Sequence, residues 1–326
     1  MAEDNAHLVR GRVVKLDRGF PLVELANGEL CRCKHATDLV KNEHQRAVIG
    51  DYVMLDIPNS HDKAILVSIC ERENAFIRKD PAERTVAQTL AANFQLIIVA
   101  QPMKELNIRR LERELVLAHE TGARVVVVLT KADAATSDAE LQAQCNLVRE
   151  RVGEDVLVLA LSSIDGRGVS ELASCIAPGE TAVLIGRSGV GKSSLVNLLC
   201  GAHRQETGSV REGDGKGRHT TVSREIIALP NGGYIVDMPG VRGLGMWEAE
   251  DGIGAAFSDI EELAEQCKFS DCKHINEPGC AVLAALTAGS IKQARLDSYR
   301  SLMQETKTMR ERKEHARWAA KAKRRH

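Results

Sequence analysis

The chain has 326 residues, 44% of them hydrophobic and 27% charged, with 44 Lys and Arg against 45 Asp and Glu. That balance excludes a disordered or collagen-like chain and a disulfide-stapled miniprotein, and the length suggests two or three domains. The longest apolar runs, 156–161 and 281–286, fall far short of the ~20 residues that span a bilayer, and the acidic first ten residues lack the apolar centre of a secretory signal. Nine cysteines, three of them between 267 and 280, suit reduced thiols in a cytoplasm.

In chain order, residues 8–70 hold five short stretches, LVRGRVVKL, FPLVELA, ELCRCKHA, DYVMLDI and AILVSIC, separated by Gly, Pro, Asn and His-Asp turns. Several alternate apolar and polar residues, the period of a strand with one buried face. Five strands in so short a span predict a small barrel of the OB type. From about residue 92 the rhythm changes. LIIVA at 96–100 and VVVVLT at 125–130 are unbroken apolar runs, as strands covered on both faces require. Between them a stretch with helical spacing ends at Gly122. The pattern repeats as helix 138–151, strand 156–163, helix 168–176, strand 182–186 and helix 192–200, which predicts a parallel sheet covered by helices. Strands are expected at 224–229 and 234–239, joined by a turn at Asn231, Gly232 and Gly233. After about 250 only helices are expected, around a Cys/His cluster. Residues 307–326 then carry nine Lys and Arg against two Glu. Such a tail suits phosphate-rich partners. The expected division is a barrel at 1–75, an α/β domain at 76–248 and a helical metal-binding domain at 249–326.

Gly186, Arg187, Ser188, Gly189, Val190, Gly191, Lys192 and Ser193 fit G-x4-G-K-S between a strand and a helix that continues with Ser194. Glycines let backbone N–H groups converge on phosphate oxygens, and the helix N-terminus adds its positive end. Lys192 is expected at the β and γ phosphates and Ser193 on Mg²⁺. Thr130, Lys131, Ala132 and Asp133 close a strand at the end where open α/β sheets bind ligands. A carboxylate at Asp133 can accept from guanine N1–H and its exocyclic amine, a donor pair adenine lacks. Ser162 and Ser163 close the next strand, where a second base-contacting loop would sit. Asp237, with Gly240, gives D-x-x-G after a later strand, for Mg²⁺ through water and for a γ-phosphate N–H. Thr220 and Thr221 end a Gly-rich segment suited to a switch, with Thr221 on Mg²⁺. Val241 stands where many GTPases carry a water-orienting glutamine, so slow intrinsic hydrolysis is expected, with His219 as the candidate to position water.

These GTPase elements come in an unusual order, base loops first and phosphate loop later, which is a circular permutation. Cys267, Cys272, His274 and Cys280 offer three sulfurs and one imidazole within fourteen residues, a closed structural zinc set. Cys31 and Cys33 alternate faces of one strand and are assigned no metal; His35 and His44 are expected at the surface.

The permuted motifs, the barrel and the Cys₃His cluster together resemble the RsgA (YjeQ) family of small-ribosomal-subunit-dependent GTPases. The most specific matches are Gly-Arg-His-Thr-Thr at 217–221, Asp-Met-Pro-Gly-Val at 237–241 and Cys-Lys-His-Ile-Asn-Glu-Pro-Gly-Cys at 272–280. Thr130 and Met238 depart from the family, many members having Asn and Thr there. The resemblance implies GTP hydrolysis to GDP stimulated by the small subunit during its late maturation, and a catalytic role for His219. It also implies an RNA-contacting barrel and a zinc domain that docks on ribosomal RNA. Aromatic residues are only 3% of the chain, so phosphate and shape contacts, rather than base stacking, would carry RNA binding. A monomer in the cytoplasm is expected, without membrane contact. The rival readings are a P-loop ATPase or kinase and a non-enzymatic, zinc-stabilised RNA adaptor with a regulatory guanine-nucleotide site.

Overall fold

The computed structural model describes residues 8–17, 20–37, 39, 46–58, 63–78, 88–153, 155–201, 224–237 and 250–323. Five strands form the expected barrel: β1 (Leu8–Asp17), β2 (Phe20–Leu25), β3 (Leu30–His35), β4 (Tyr52–Asp56) and β5 (Ala64–Ile69). Neighbours run β1-β2-β3-β5-β4, and β4 pairs back onto β1, so the sheet closes. Alternation puts Val13, Val23, Cys33, Val53, Leu55 and Leu66 inside. Burial pushes the Cys33 thiol up to about 12. The surface expectation for His35 does not hold. It is half-buried, its Nε2 has no partner among the described residues, and burial, with Arg46 nearby, lowers its pKa. His44 lies outside the described residues.

A hairpin not anticipated from the sequence, β6 (Ala75–Arg78) with β7 (Gln88–Ala92), follows the barrel. Its segments are short and mixed in polarity, so no strand period shows. The parallel core comes next: β8 (Leu96–Pro102), helix α1 (Ile108–His119), β9 (Arg124–Thr130), α2 (Asp138–Val152), β10 (Leu157–Ala160), α3 (Val169–Ser174), β11 (Thr181–Gly186) and α4 (Lys192–Cys200). Then come β12 (Arg224–Ala228) and β13 (Tyr234–Asp237), an antiparallel pair turned by Asn231. The strand order is β10-β9-β8-β11-β13-β12. Both faces are covered, as the unbroken apolar runs require. Ile97 and Val99 pack with Leu111, Leu115 and Val148 on one side, whereas Leu96 and Ile98 pack with Leu172, Leu195 and Val196 on the other.

The barrel and this sheet are joined edge to edge, since β1 also pairs with β12 through Lys15↔Glu225 and Leu16↔Arg224. The Arg12 guanidinium reinforces the junction by donating to Thr181 Oγ1 at 2.6 Å while lying over the Tyr52 and Tyr234 rings.

The C-terminal part is helical: α5 (Glu250–Ala256), α6 (Ser258–Ala264), α7 (Ala281–Ala288) and the 31-residue α8 (Gln293–Lys323). Its core of Ile253, Phe257, Ile260, Val282, Leu296 and Tyr299 also takes Val116 from α1. Gly252 makes the approach possible, because a Cβ there would stand 2.4 Å from the Val116 carbonyl oxygen. The buried Arg295 locks the unit down. It donates to both Asp259 carboxylate oxygens at 2.6 and 2.7 Å, to the Arg151 carbonyl at 2.7 Å and to the Ala256 carbonyl at 2.9 Å. The Ser298 hydroxyl bonds the buried Glu112 carboxylate of α1 beside it.

Candidate nucleotide site and metal centre

Strand β11 delivers the chain to Gly186, whose φ is 147° and where a Cβ would lie 2.6 Å from the Ala100 carbonyl oxygen. Gly189 and Gly191 also have positive φ, 78° and 105°, so the loop curls back before α4 begins. The loop thus leads straight into the N-terminus of α4, the end of a helix whose first N–H groups lack intrahelical acceptors. Lys192 opens that helix; it is buried, and its ammonium donates to the Gly186 and Arg187 carbonyls at 2.8 and 3.0 Å. Ser193 and Ser194 follow, half-buried, in the same turn.

The corner after β9 meets this loop directly. The buried Thr130 hydroxyl donates to the Val190 carbonyl at 2.5 Å and lies 3.2 Å from the Gln101 carbonyl. Lys131, in the left-handed region at φ 57°, donates through Nζ to the Gly189 carbonyl at 2.9 Å. Ala132 N–H donates to the Leu161 carbonyl at 2.9 Å, tying on the loop after β10. There the buried Ser162 Oγ accepts the N–H groups of Ile164 and Asp165, and Ser163 is exposed. Two hollows flank the 130–134 turn. One of about 260 Å³ is lined by Lys131, Arg187, Ser188, Gly189 and Val190, with Lys104 and Glu105. The other, about 390 Å³, is lined by Ala132 and the exposed Asp133, with Ser137, Asp165 and Arg167. The motifs at 130–133, 162–163 and 186–193 therefore share one edge of the sheet. The contribution of Lys104 and Glu105, in the loop after β8, has no motif to announce it.

Asp237 ends β13, in register with Leu184 of β11, which puts its backbone beside the strand feeding the phosphate loop. His219, Thr220, Thr221 and Gly240 lie outside the described residues.

The four expected metal ligands also converge. Cys267 Sγ is 3.8 Å from Cys280 Sγ and 3.6 Å from His274 Nδ1, and His274 Nδ1 is 3.4 Å from Cys280 Sγ. All four ligand atoms, Cys272 included, lie within 4.8 Å of one another. A tetrahedron with about 2.3 Å metal–sulfur bonds has edges of about 3.8 Å, so the residues fit zinc. His274 takes a left-handed φ of 55°, in a turn that Glu277 braces. The Glu277 carboxylate accepts the N–H groups of Lys273, Ile275 and Asn276; these outweigh the desolvation that pushes its pKa up and hold it at about 2. Cys280 also caps α7, accepting from Leu283 N–H.

Residues 69–247 match the RsgA GTPase family model. A protein of Streptomyces avermitilis named small ribosomal subunit biogenesis GTPase RsgA is 43% identical over 303 residues, covering 93% of this chain and 80% of its own length. The chain belongs to the RsgA GTPase family. A similarly named RsgA of Listeria innocua is 36% identical, covering 90% of this chain and 83% of its own. YjeQ from Thermotoga maritima superposes with a TM-score of 0.70 at 26% identity, over 92% of this chain and 98% of that one. YloQ, described as a circularly permuted GTPase, gives a TM-score of 0.67 at 25% identity, over 94% and 98%. The permuted order read from the motifs is thus the RsgA order, and the chain is a GTP hydrolase.

Proposed function

We propose that this RsgA-family GTPase hydrolyses GTP to GDP and phosphate on the small ribosomal subunit during late maturation, and that nucleotide state times its release. The observation that carries the reading is the bonding of the 130–131 corner to the 189–190 carbonyls, which ties the turn bearing Asp133 to the phosphate loop. Guanine would meet Asp133, with Lys131 along its plane and the 162–163 loop beyond it. The triphosphate would lie in the N–H groups of 186–194, with Lys192 offsetting charge on the β and γ oxygens. Mg²⁺ held by Ser193 and Thr221, with Asp237 through water, would supply further charge neutralisation between those phosphates. His219 would orient the attacking water and Thr220 would border the γ phosphate.

The names of the relatives support the subunit as partner. So does the basic α8, which carries Lys307, Arg310, Arg312, Lys313 and Arg317. Zinc bound by Cys267, Cys272, His274 and Cys280 would fix the fold that presents that helix. The barrel at 1–75, the GTPase domain at 76–248 and the zinc domain at 249–326 are the working units of this reading. We assign the monomer in the cytoplasm as the acting form; among the described residues no helix is long and apolar enough to cross a membrane.

Multiple-turnover GTP hydrolysis with and without purified small subunits tests the reading. Stimulation is expected, falling steeply with salt as phosphate contacts are screened. Hydrolysis indifferent to subunits would remove the ribosomal partner. Guanine-nucleotide binding without turnover would favour the adaptor. A His219→Ala protein with the parental rate would clear that residue of its role.

A further inference from the structure

Helix α1 carries a carboxylate that the pocket's motifs leave unused. Glu114 is 2% exposed, on the side of α1 that packs against β8. Its Oε2 accepts from Gln101 Nε2 at 2.5 Å and its Oε1 from Arg110 Nε at 2.9 Å. Gln101 is also buried, and its Oε1 has no partner among the described residues, so the amide is turned to serve the carboxylate. The carbonyl of that same glutamine faces the Thr130 hydroxyl, which bonds Val190 of the phosphate loop. Glu114 is thereby linked to the loop through Gln101 and Thr130.

Resting on the reading of 186–193 as a phosphate cradle, we infer that Glu114 is a buried counter-charge that lowers the cradle's affinity for nucleotide phosphates and so speeds GDP release. It acts through Lys192 without touching nucleotide. A fixed anion linked to the loop takes up part of the lysine's field and repels an incoming phosphate, and in a buried setting little solvent screens it. The charged groups around Glu114 are Arg110 on its own helix and Lys192 on α4; burial pushes its pKa up, and these two, with the Gln101 hydrogen bond, pull it back. A phosphate on Lys192 would cancel that lysine's pull, so Glu114 would bind its proton more tightly in the complex. By linkage, nucleotide then binds more tightly as pH falls.

The test compares equilibrium binding and release of fluorescent GDP by the full chain and by Glu114→Gln, from about pH 4.5, the ordinary carboxylate value, up to about pH 8.5, with melting as the check on folding. The variant should bind GDP on the order of tenfold more tightly, mostly through slower release. It should also lack the part of the wild-type pH dependence that exceeds GDP's own titration. Unchanged affinity with the wild-type pH profile would overturn the inference, as would weaker binding with a lowered melting temperature, the mark of a structural role. If Glu114→Gln does not fold, Glu114→Met keeps the volume without the charge; tighter binding then supports the inference, and unchanged binding or failure to fold overturns it. Wild-type protein that binds no GDP would sink the cradle reading itself, a result distinct from all of these.

Discussion

At the scale of single residues, selectivity rests on which hydrogen-bonding groups face the base. Asp133 is exposed at the mouth of its hollow and offers only acceptors. Replacing it with Asn puts an amide donor where guanine presents its amine, while xanthine presents a carbonyl there. The expected outcome for Asp133→Asn is a rise in KM for GTP on the order of a hundredfold and a gain for the xanthine nucleotide, read from steady-state hydrolysis of both. The meeting of 130–131 with 189–190 and the convergence of Cys267, Cys272, His274 and Cys280 were legible from the sequence, because each set sits in a spacing that its chemistry demands. Glu114 and Gln101 were not. A glutamate within an apolar helical period reads as a solvent-facing residue, and only the packing of α1 on β8 shows that Glu114 points inward with Leu111, Leu115 and Ala118.

Among elements, the period of apolar residues located nearly every strand and helix of the α/β core, because burial on two faces leaves unbroken runs. Strand β10 came out shorter than its run, ending at Ala160, since the following residues turn to place Ser162. The contact of α5 with α1 was invisible, because it depends on what Gly252 lacks. Adding a methyl there drives a Cβ against the Val116 carbonyl, so Gly252→Ala should cost about 1–3 kcal/mol in chemical denaturation despite its better helix propensity. The Cys₃His cluster, loaded with zinc, would be the other support of this region, since the 267–280 segment joins α6 to α7 without a long apolar run. Chelation should remove a large share of the helical signal of 250–323, given apparent binding energies of about 10–16 kcal/mol for structural zinc. Re-addition of zinc should restore it, which circular dichroism can follow.

Over the whole molecule, the C-terminal helical unit is bound to the GTPase core by buried polar groups such as Arg295 and Ser298, and a histidine with a lowered pKa lies near Arg295. His119 ends α1 with its Nε2 buried and unpartnered among the described residues. Burial, with Arg295 adding repulsion, holds its pKa below the ordinary 6.5. Above that value both folded and unfolded chains carry a neutral ring and nothing is lost. As pH falls below it, the unfolded chain takes up a proton that the folded one refuses, so stability declines until the folded value is reached. Melting temperature should therefore drop between about pH 7 and 5.5, and His119→Gln should flatten part of that slope. The sequence could not show this, because the repulsion needs α1 and α8 to meet, and nothing in either stretch names the other.

The pairing of β1 with β2, β4 and β12 has a bearing on how this protein can be taken apart. A register shift between Val13 and Lys15 lets one ten-residue strand close the barrel and still extend the GTPase sheet. Cutting the chain between the two units would strip hydrogen-bond partners from both, leaving each fragment with a raw, adhesive border at Lys15 and Leu16 or at Arg224 and Glu225. The modules named by their folds are thus not independent parts, and work on isolated fragments would report on self-association before it reported on nucleotide or RNA.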